Sequence, residues 1–216
     1  MDETLNSLQN KYARFSSDIT TQTYNLWAQE YKKSTQDFIF PANMFEIFVW
    51  EISGKKVLDV GCAYGRDVLR LRNLWYESYW IDISQNLIEI SDPHIREYLR
   101  VWDMTELKQY YQQSSFDAIM SSASILHVDK NVAYTVLEDI YSILQDNWVF
   151  FLTLKISDSE KTVFKNSISL PWVKKKYVYY SQEEIISILE EIWFHICKTH
   201  ILETKHDDWL SIICKK

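Results

Sequence analysis

The chain has 216 residues, a formal net charge of −7 and 47% hydrophobic residues. That length suits one α/β domain, and that apolar content is enough for a full core and argues against disorder. The acidic balance disfavours DNA or RNA as the main partner, and no apolar run reaches the roughly 18 residues of a membrane span.

Residues 1–50 read as a helical, aromatic-rich cap (Tyr12, Phe15, Tyr24, Trp27, Tyr31, Phe38), followed by an α/β core over 51–216 in a single domain. From Lys56 strand and helix patterns alternate, the signature of a parallel sheet. Val57–Val60 is the first strand, and a helix follows from Gly65. Ser78–Ile83 is the second strand, with Asp82 at its end. Ser84 N-caps a helix over Gln85–Ser91 that stops before Pro93. Tyr98–Trp102 and Phe116–Ser121 are the third and fourth strands. The next helix carries Val132, Val136, Ile140, Ile143 and Leu144 on one face. Val149–Leu154 is a buried fifth strand. Residues 157–177 read as a polar insertion whose Lys174–Tyr177 run is a solvated edge. Ser181 and Glu184 form a capping box for a helix with Ile185, Ile188, Leu189 and Ile192 on one face. Strands near Phe194–Ile201 and Trp209–Cys214 close the chain as an antiparallel hairpin. Cys62, Cys197 and Cys214 have no paired or metal-like spacing and fit free thiols in a reducing, cytoplasmic setting. No metal constellation and no signal peptide are visible.

The most informative stretch is Val57-Leu-Asp-Val-Gly-Cys-Ala-Tyr-Gly-Arg-Asp67. A buried strand turns tightly into a helix N-terminus, where small residues admit a ligand to the backbone and free N–H groups face it. Gly61, Ala63 and Gly65 stand at i, i+2 and i+4. A dinucleotide fingerprint wants its third glycine at i+5, and Arg66 is there instead. The segment resembles motif I of the class I S-adenosylmethionine (SAM)-dependent methyltransferases, apolar-apolar-Asp/Glu-apolar-Gly-x-Gly-x-Gly, with Ala63 at the middle glycine. The resemblance covers most of residues 24–216. It implies a doubly wound, Rossmann-like seven-stranded sheet in the order 3-2-1-4-5-7-6, with strand 7 antiparallel.

The same resemblance implies SAM as cofactor, S-adenosylhomocysteine (SAH) as product, and a set of site residues. Asp59 supports the glycine loop, and Gly61, Cys62, Ala63, Tyr64, Gly65 and Asp67 line or brace it. Asp82, about 20 residues on, accepts the ribose hydroxyls, with Ile83 beside the adenine. Asp103 and Met104 meet the adenine edge; a helix cap is the competing role for Asp103. Ser121, Ser122 and Ala123 flank the methionine part. His127 is the candidate general base, because an imidazole suits proton removal near neutral pH; a loop-orienting role competes. Tyr31 and its aromatic neighbours are candidates to close over the sulfonium, with core packing as the alternative. The expected partner is a small-molecule acceptor with an O, N or S nucleophile. A protein or RNA methyltransferase and a non-catalytic SAM-binding domain stay open as alternatives. The oligomeric state is not legible.

Three glycines and nine tryptophans are an unusual balance for this length. Trp75, Trp80, Trp148 and Trp193 occupy places where the resembling family turns on glycine, and a bulky residue is penalised at positive φ. One reading is that UGA codons, which some bacterial lineages decode as glycine, are written here as tryptophan. The other is a natively aromatic-rich chain. Trp209, at a strand start, fits as a native tryptophan.

Overall fold

The computed structural model describes residues 19–37, 42–159, 161–166 and 174–216. Tyr12, Phe15, Phe38 and residues 167–173 of the insertion lie outside them. Helices α1 (Ile19–Leu26), α2 (Ala28–Thr35) and α3 (Ala42–Glu51) precede the core. The core then runs β1 (Lys56–Val60), α4 (Arg66–Asn73), β2 (Glu77–Asp82), α5 (Gln85–Glu89), α6 (Pro93–Arg96), β3 (Leu99–Val101), α7 (Leu107–Tyr110), β4 (Phe116–Ser122), α8 (Lys130–Ile143) and β5 (Leu144–Ile156). It ends with β6 (Lys161–Asn166), β7 (Lys174–Tyr179), α9 (Gln182–Glu191), β8 (His195–Leu202) and β9 (Asp208–Lys215).

The main sheet has the order β3-β2-β1-β4-β5-β9-β8. The first five strands are parallel, and β9 is antiparallel to both β5 and β8. This is the expected doubly wound topology, with β9 and β8 in the places of the seventh and sixth strands. Both faces are covered, as a parallel sheet requires. On one face Leu58, Ile119, Phe150 and Leu152 meet Val136, Leu137 and Ile140 of α8 and Ile185 and Leu189 of α9. On the other, Phe48 of α3 stacks on Phe151 at 5.4 Å. Among the described residues no helix is long and apolar enough to cross a membrane.

Local signals carry most of these boundaries. Ser84 accepts from the Leu87 amide at the start of α5, and the Ser181–Glu184 capping box is present on both sides. Helix α5 ends at Glu89, before Pro93 as expected, and Pro93 opens the separate α6 under an Asp92 cap, because proline is well suited to a first helical position. Two expectations change. Leu144 begins β5 instead of ending the helix face, and Val132 is exposed. The polar insertion contains an antiparallel hairpin, β6–β7. Strand alternation then splits the basic run: Lys174 is exposed, Lys175 is buried, and Lys176 pairs with Asp129 at 2.6 Å. The run is therefore not a solvated edge.

The four tryptophans divide two and two. Trp75 (φ 67°) and Trp193 (φ 79°) are left-handed and 84% and 79% exposed. Each stands just past the cap of its helix. The Trp75 amide bonds to Arg72 O and the Tyr76 amide to Leu71 O; the Trp193 amide bonds to Glu190 O and the Phe194 amide to Leu189 O. These are two Schellman motifs with tryptophan at the position glycine favours. Trp148 does not fit the expectation, because Asn147 takes the positive φ in that turn. Trp80 does not fit either. It is fully buried in β2 against Tyr98, although its indole N–H has no partner among the described residues. Changing Trp75 and Trp193 together to glycine is expected to stabilise the chain by about 2 kcal/mol, since a left-handed non-glycine residue costs about 1–2 kcal/mol. The melting temperature then rises by about 4–8 °C. Trp80→Gly lowers it, by emptying core volume. A fall for the Trp75/Trp193 pair would mean their indoles make native contacts. The decoding reading now demands TGA at codons 75 and 193, which gene sequencing checks.

Candidate active site

The sheet places a cavity of about 290 Å³ outside the carboxyl ends of β1, β2 and β4, where open α/β sheets bind ligands. Its floor is the loop after β1. Gly61 (φ 83°), Ala63 (φ 54°) and Gly65 (φ 80°) are all left-handed, which explains why this turn calls for small residues. Gly61 also lies against Ser124: a Cβ built on it would meet the Ser124 Cβ at 2.2 Å. Ser124 is pinned in turn. Its Oγ donates to Val60 O at 2.6 Å, so the 2.6 Å contact with Ser121 Oγ is a bond donated by Ser121.

Asp82 ends β2 at the cavity wall. Its Oδ2 accepts from the Ala63 amide at 2.7 Å and its Oδ1 from the Ser84 amide at 2.8 Å. The Ile83 amide also interacts with this carboxylate; a carboxylate has about four acceptor positions, so capacity remains for a further donor. Burial raises its pKa to about 6, against the lowering effect of these amide bonds. Asp103 caps the turn at Met104–Glu106 by accepting from the Thr105 amide at 2.9 Å. The capping role is therefore present, and Asp103 lines the cavity as well. Ile83, Leu87, Trp102 and Met104 supply its apolar wall.

Ser122 and Ala123 line the cavity from the end of β4. The Ala123 amide bonds to Thr153 O and Oγ1 at 3.1 and 3.0 Å, which holds its left-handed turn (φ 56°). His127 follows on the next turn. Its Nδ1 lies 2.6 Å from Lys176 O and its Nε2 3.1 Å from Tyr24 OH. A carbonyl only accepts, so Nδ1 carries the proton, Nε2 is the acceptor, and Tyr24 donates to it. Burial lowers the His127 pKa to about 3; Lys175 and Lys155 nearby add to this, and the Lys176 carbonyl opposes it. Both ring nitrogens are engaged and the ring is neutral.

This tautomer has a consequence for stability. His127 has a folded pKa well below its ordinary value, so the unfolded chain binds the extra proton between about pH 6.5 and 3. Its contribution is present above pH 6.5 and is lost as pH falls through that window. Denaturant unfolding from pH 7 to 4 is expected to show His127→Gln losing stability less steeply than wild type, by up to about 1.4 kcal/mol per pH unit. Parallel curves would contradict the buried neutral imidazole.

Gly61, Ala63, Asp82, Ile83, Asp103, Met104, Ser122, Ala123, His127 and Tyr31 all line the cavity. Asp59, Cys62, Tyr64, Gly65, Asp67 and Ser121 do not; they stand behind it. Asp67 ion-pairs with Arg66 at 2.6 Å and Arg70 at 3.3 Å. Asp59 is buried, and burial together with Asp67 raises its pKa well above the carboxylate range. Tyr64 bonds Thr35. Sequence reasoning included Tyr24 among the cap's aromatics but missed Thr20 and Thr21 of α1, together with Ser124 and Lys176. Only a strand-end serine in the Ser121–His127 run hinted at Ser124. The contributions of α1 and of the hairpin depend on tertiary packing, seen in Thr23 Oγ1 donating to Lys174 O at 2.8 Å and the Lys176 amide to Thr20 Oγ1 at 3.2 Å.

Residues 57–147 match the family model described as a methyltransferase domain. No curated protein matches the chain. Among solved structures, a Burkholderia thailandensis 1,6-didemethyltoxoflavin-N1-methyltransferase, with 1,6-didemethyltoxoflavin and SAH bound, is 14% identical with a TM-score of 0.73, covering 96% of this chain and 89% of its own. A SAM-dependent methyltransferase from Methanosarcina mazei is 17% identical with a TM-score of 0.69, covering 79% and 96%. A glycopeptide N-methyltransferase complexed with SAM is 12% identical with a TM-score of 0.60, covering 80% and 92%. At these identities the likeness is one of fold: the chain shares the sheet topology of these structures, and its residues 57–147 match a methyltransferase-domain model.

Proposed function

We propose that the chain transfers a methyl group from SAM to a small-molecule acceptor. The observation that carries this reading is the convergence of the Gly61–Gly65 loop, Asp82, Asp103 and an apolar wall on one cavity at the carboxyl ends of the strands. The residues present fit SAM. Gly61 lets the loop pack closely on Ser124 at the cavity floor, Asp82 has an acceptor position left for a ribose hydroxyl, and Ile83, Leu87, Trp102 and Met104 suit an adenine ring. SAM, when bound, supplies a methyl group already activated by its sulfonium. The protein's work is then to hold, orient and exclude water.

A second cavity, about 700 Å³, shares Tyr24, Tyr31, Ala123 and His127 with the first. It is the natural place for an acceptor. His127 serves there as a positioning residue in this reading: its Nε2 fixes the Tyr24 hydroxyl at the shared wall. The low proton affinity and the occupied nitrogens favour this role over direct proton removal. The small-molecule neighbour bound to its substrate and SAH supports the acceptor class. Incubating the chain with methyl-labelled SAM and a panel of small aromatic and heterocyclic acceptors tests the proposal. Label transfer with formation of SAH is the expected result; SAH binding without transfer to any acceptor would favour a non-catalytic SAM-binding domain.

A further inference from the structure

The second cavity has an unusual charge arrangement for a chain of net charge −7. Three lysines line it, Lys155, Lys165 and Lys175, against the single carboxylate of Asp207. Asp207 already takes three donors. Its Oδ2 takes Lys155 Nζ at 2.8 Å, and its Oδ1 takes Lys165 Nζ and the Tyr179 hydroxyl, each at 2.5 Å. Burial would raise the Asp207 pKa, but these three donors outweigh it and bring it down to about 2. One negative charge therefore serves two ammonium groups.

Lys175 has no such partner. It is 6% exposed, and no carboxylate among the described residues pairs with it. Its Nζ instead lies 3.9 Å from the centre of the Tyr24 ring and 4.8 Å from that of Tyr31. Aromatic faces attract a cation but offset only part of the cost of burying it. Burial, and then Lys155, lower its pKa to about 8, so the ammonium still carries its charge at pH 7. A buried, charged donor on a cavity wall is suited to an ion pair with an anionic ligand. The rest of the wall suits a flat ring: Tyr177 and Trp209 flank Lys155 at 3.8 and 5.2 Å, and Phe164 of β6 is part of the lining. The volume lies within the range of small-molecule sites.

We infer that this cavity takes a planar aromatic acid as the methyl acceptor, with its anionic group held by Lys175. The role as acceptor site rests on the methyltransferase reading of the neighbouring cavity; the preference for an aromatic anion rests on the cavity's own residues. Lys175 is then a specificity-determining residue, and the hairpin β6–β7 is the element that brings it in.

Calorimetric titration of the full chain with 4-hydroxybenzoate and its neutral isostere 4-hydroxybenzamide, each with and without saturating SAH, tests this. The carboxylate is expected to bind at least about tenfold more tightly than the amide, the size of one retained ion pair to a charged group. Lys175→Gln and Lys175→Met are expected to bring the two probes to near parity, with SAH affinity unchanged. Lys175→Arg keeps much of the preference. Lys175→Met is also expected to melt higher by about 2–4 °C, because it removes an unpaired buried charge; a folded, more stable variant that loses anion binding separates recognition from structure. Equal binding of the two probes, no binding of the carboxylate at millimolar concentration, or a preference that survives in Lys175→Met overturns the inference. A carboxylate preference that depends on Lys175 in a chain that fails to bind SAH upholds the anion site and overturns the methyltransferase reading instead.

Discussion

Replacing Gly61 with alanine is expected to lower the stability of the chain by about 3–5 kcal/mol and to remove SAM binding with it. The backbone cost alone is about 1–2 kcal/mol at φ 83°, and Ala63 shows that an alanine is accommodated in this loop at φ 54°. The decisive effect is steric. The new Cβ would sit 2.2 Å from the Ser124 Cβ, and Ser124 cannot retreat without breaking its 2.6 Å bonds to Val60 O and Ser121 Oγ. Overpacking of this kind costs about 1–3 kcal/mol, and each lost hydrogen bond about 0.5–1.5 kcal/mol more. For a protein of this size the melting temperature falls by about 10 °C or more. Ala63→Gly is the matched control, with a small change in stability and SAM binding retained. A Gly61→Ala variant as stable as wild type would mean that the loop is looser than the contacts with Ser124 require.

Asp82→Ala is expected to weaken SAM and SAH binding by about 1–3 kcal/mol, the scale of hydrogen bonds to a charged group, or roughly 5- to 150-fold. The carboxylate's remaining acceptor capacity is lost, and the Ala63 and Ser84 amides lose their acceptor as well. The pH dependence follows from the same group. Burial sets the Asp82 pKa at about 6 in the free protein, and ribose hydroxyls donate to its ionised form. Affinity is therefore constant above about pH 6 and falls below it, by up to tenfold per pH unit. The Asp82→Ala variant loses this slope. Calorimetry at pH 5, 6, 7 and 8 on both proteins checks it; a slope that persists in the variant would assign the titration to another group.

Much of the architecture was legible because local chemistry and global fold agree. The Val57–Asp67 run, the Ser84 cap and the Ser181–Glu184 box each set a boundary by short-range hydrogen bonding and sterics, and alternation of strand and helix then permits few topologies. Asp82 could be placed from its distance to the glycine loop and Asp103 from the family resemblance at the end of the third strand, because strand ends in this fold converge on one point. The hairpin β6–β7 was not legible, since its residues are polar and lysine-rich, with little strand pattern. The burial of Lys175 depends on Tyr24 and Tyr31, more than 140 positions away in the chain, and no local pattern announces such a contact. Trp80 was misread for a similar reason: its place in a strand next to Asp82 suggested a glycine turn, whereas the Trp80 ring is enclosed by Tyr98 and Arg72. Trp75 and Trp193 were legible because a helix end makes a conformational demand that its own sequence position reveals.

On the reading proposed here the cavity beside Gly61 and Asp82 takes SAM. Titration of the folded wild-type chain with SAH, in parallel with NAD, decides it. SAH is expected to bind one to one with micromolar affinity, about −8 kcal/mol, and NAD to give no binding isotherm, because Arg66 stands where a dinucleotide loop needs its third glycine. A folded chain that gives no heat with SAH at millimolar concentration, or that binds NAD more tightly, would contradict it.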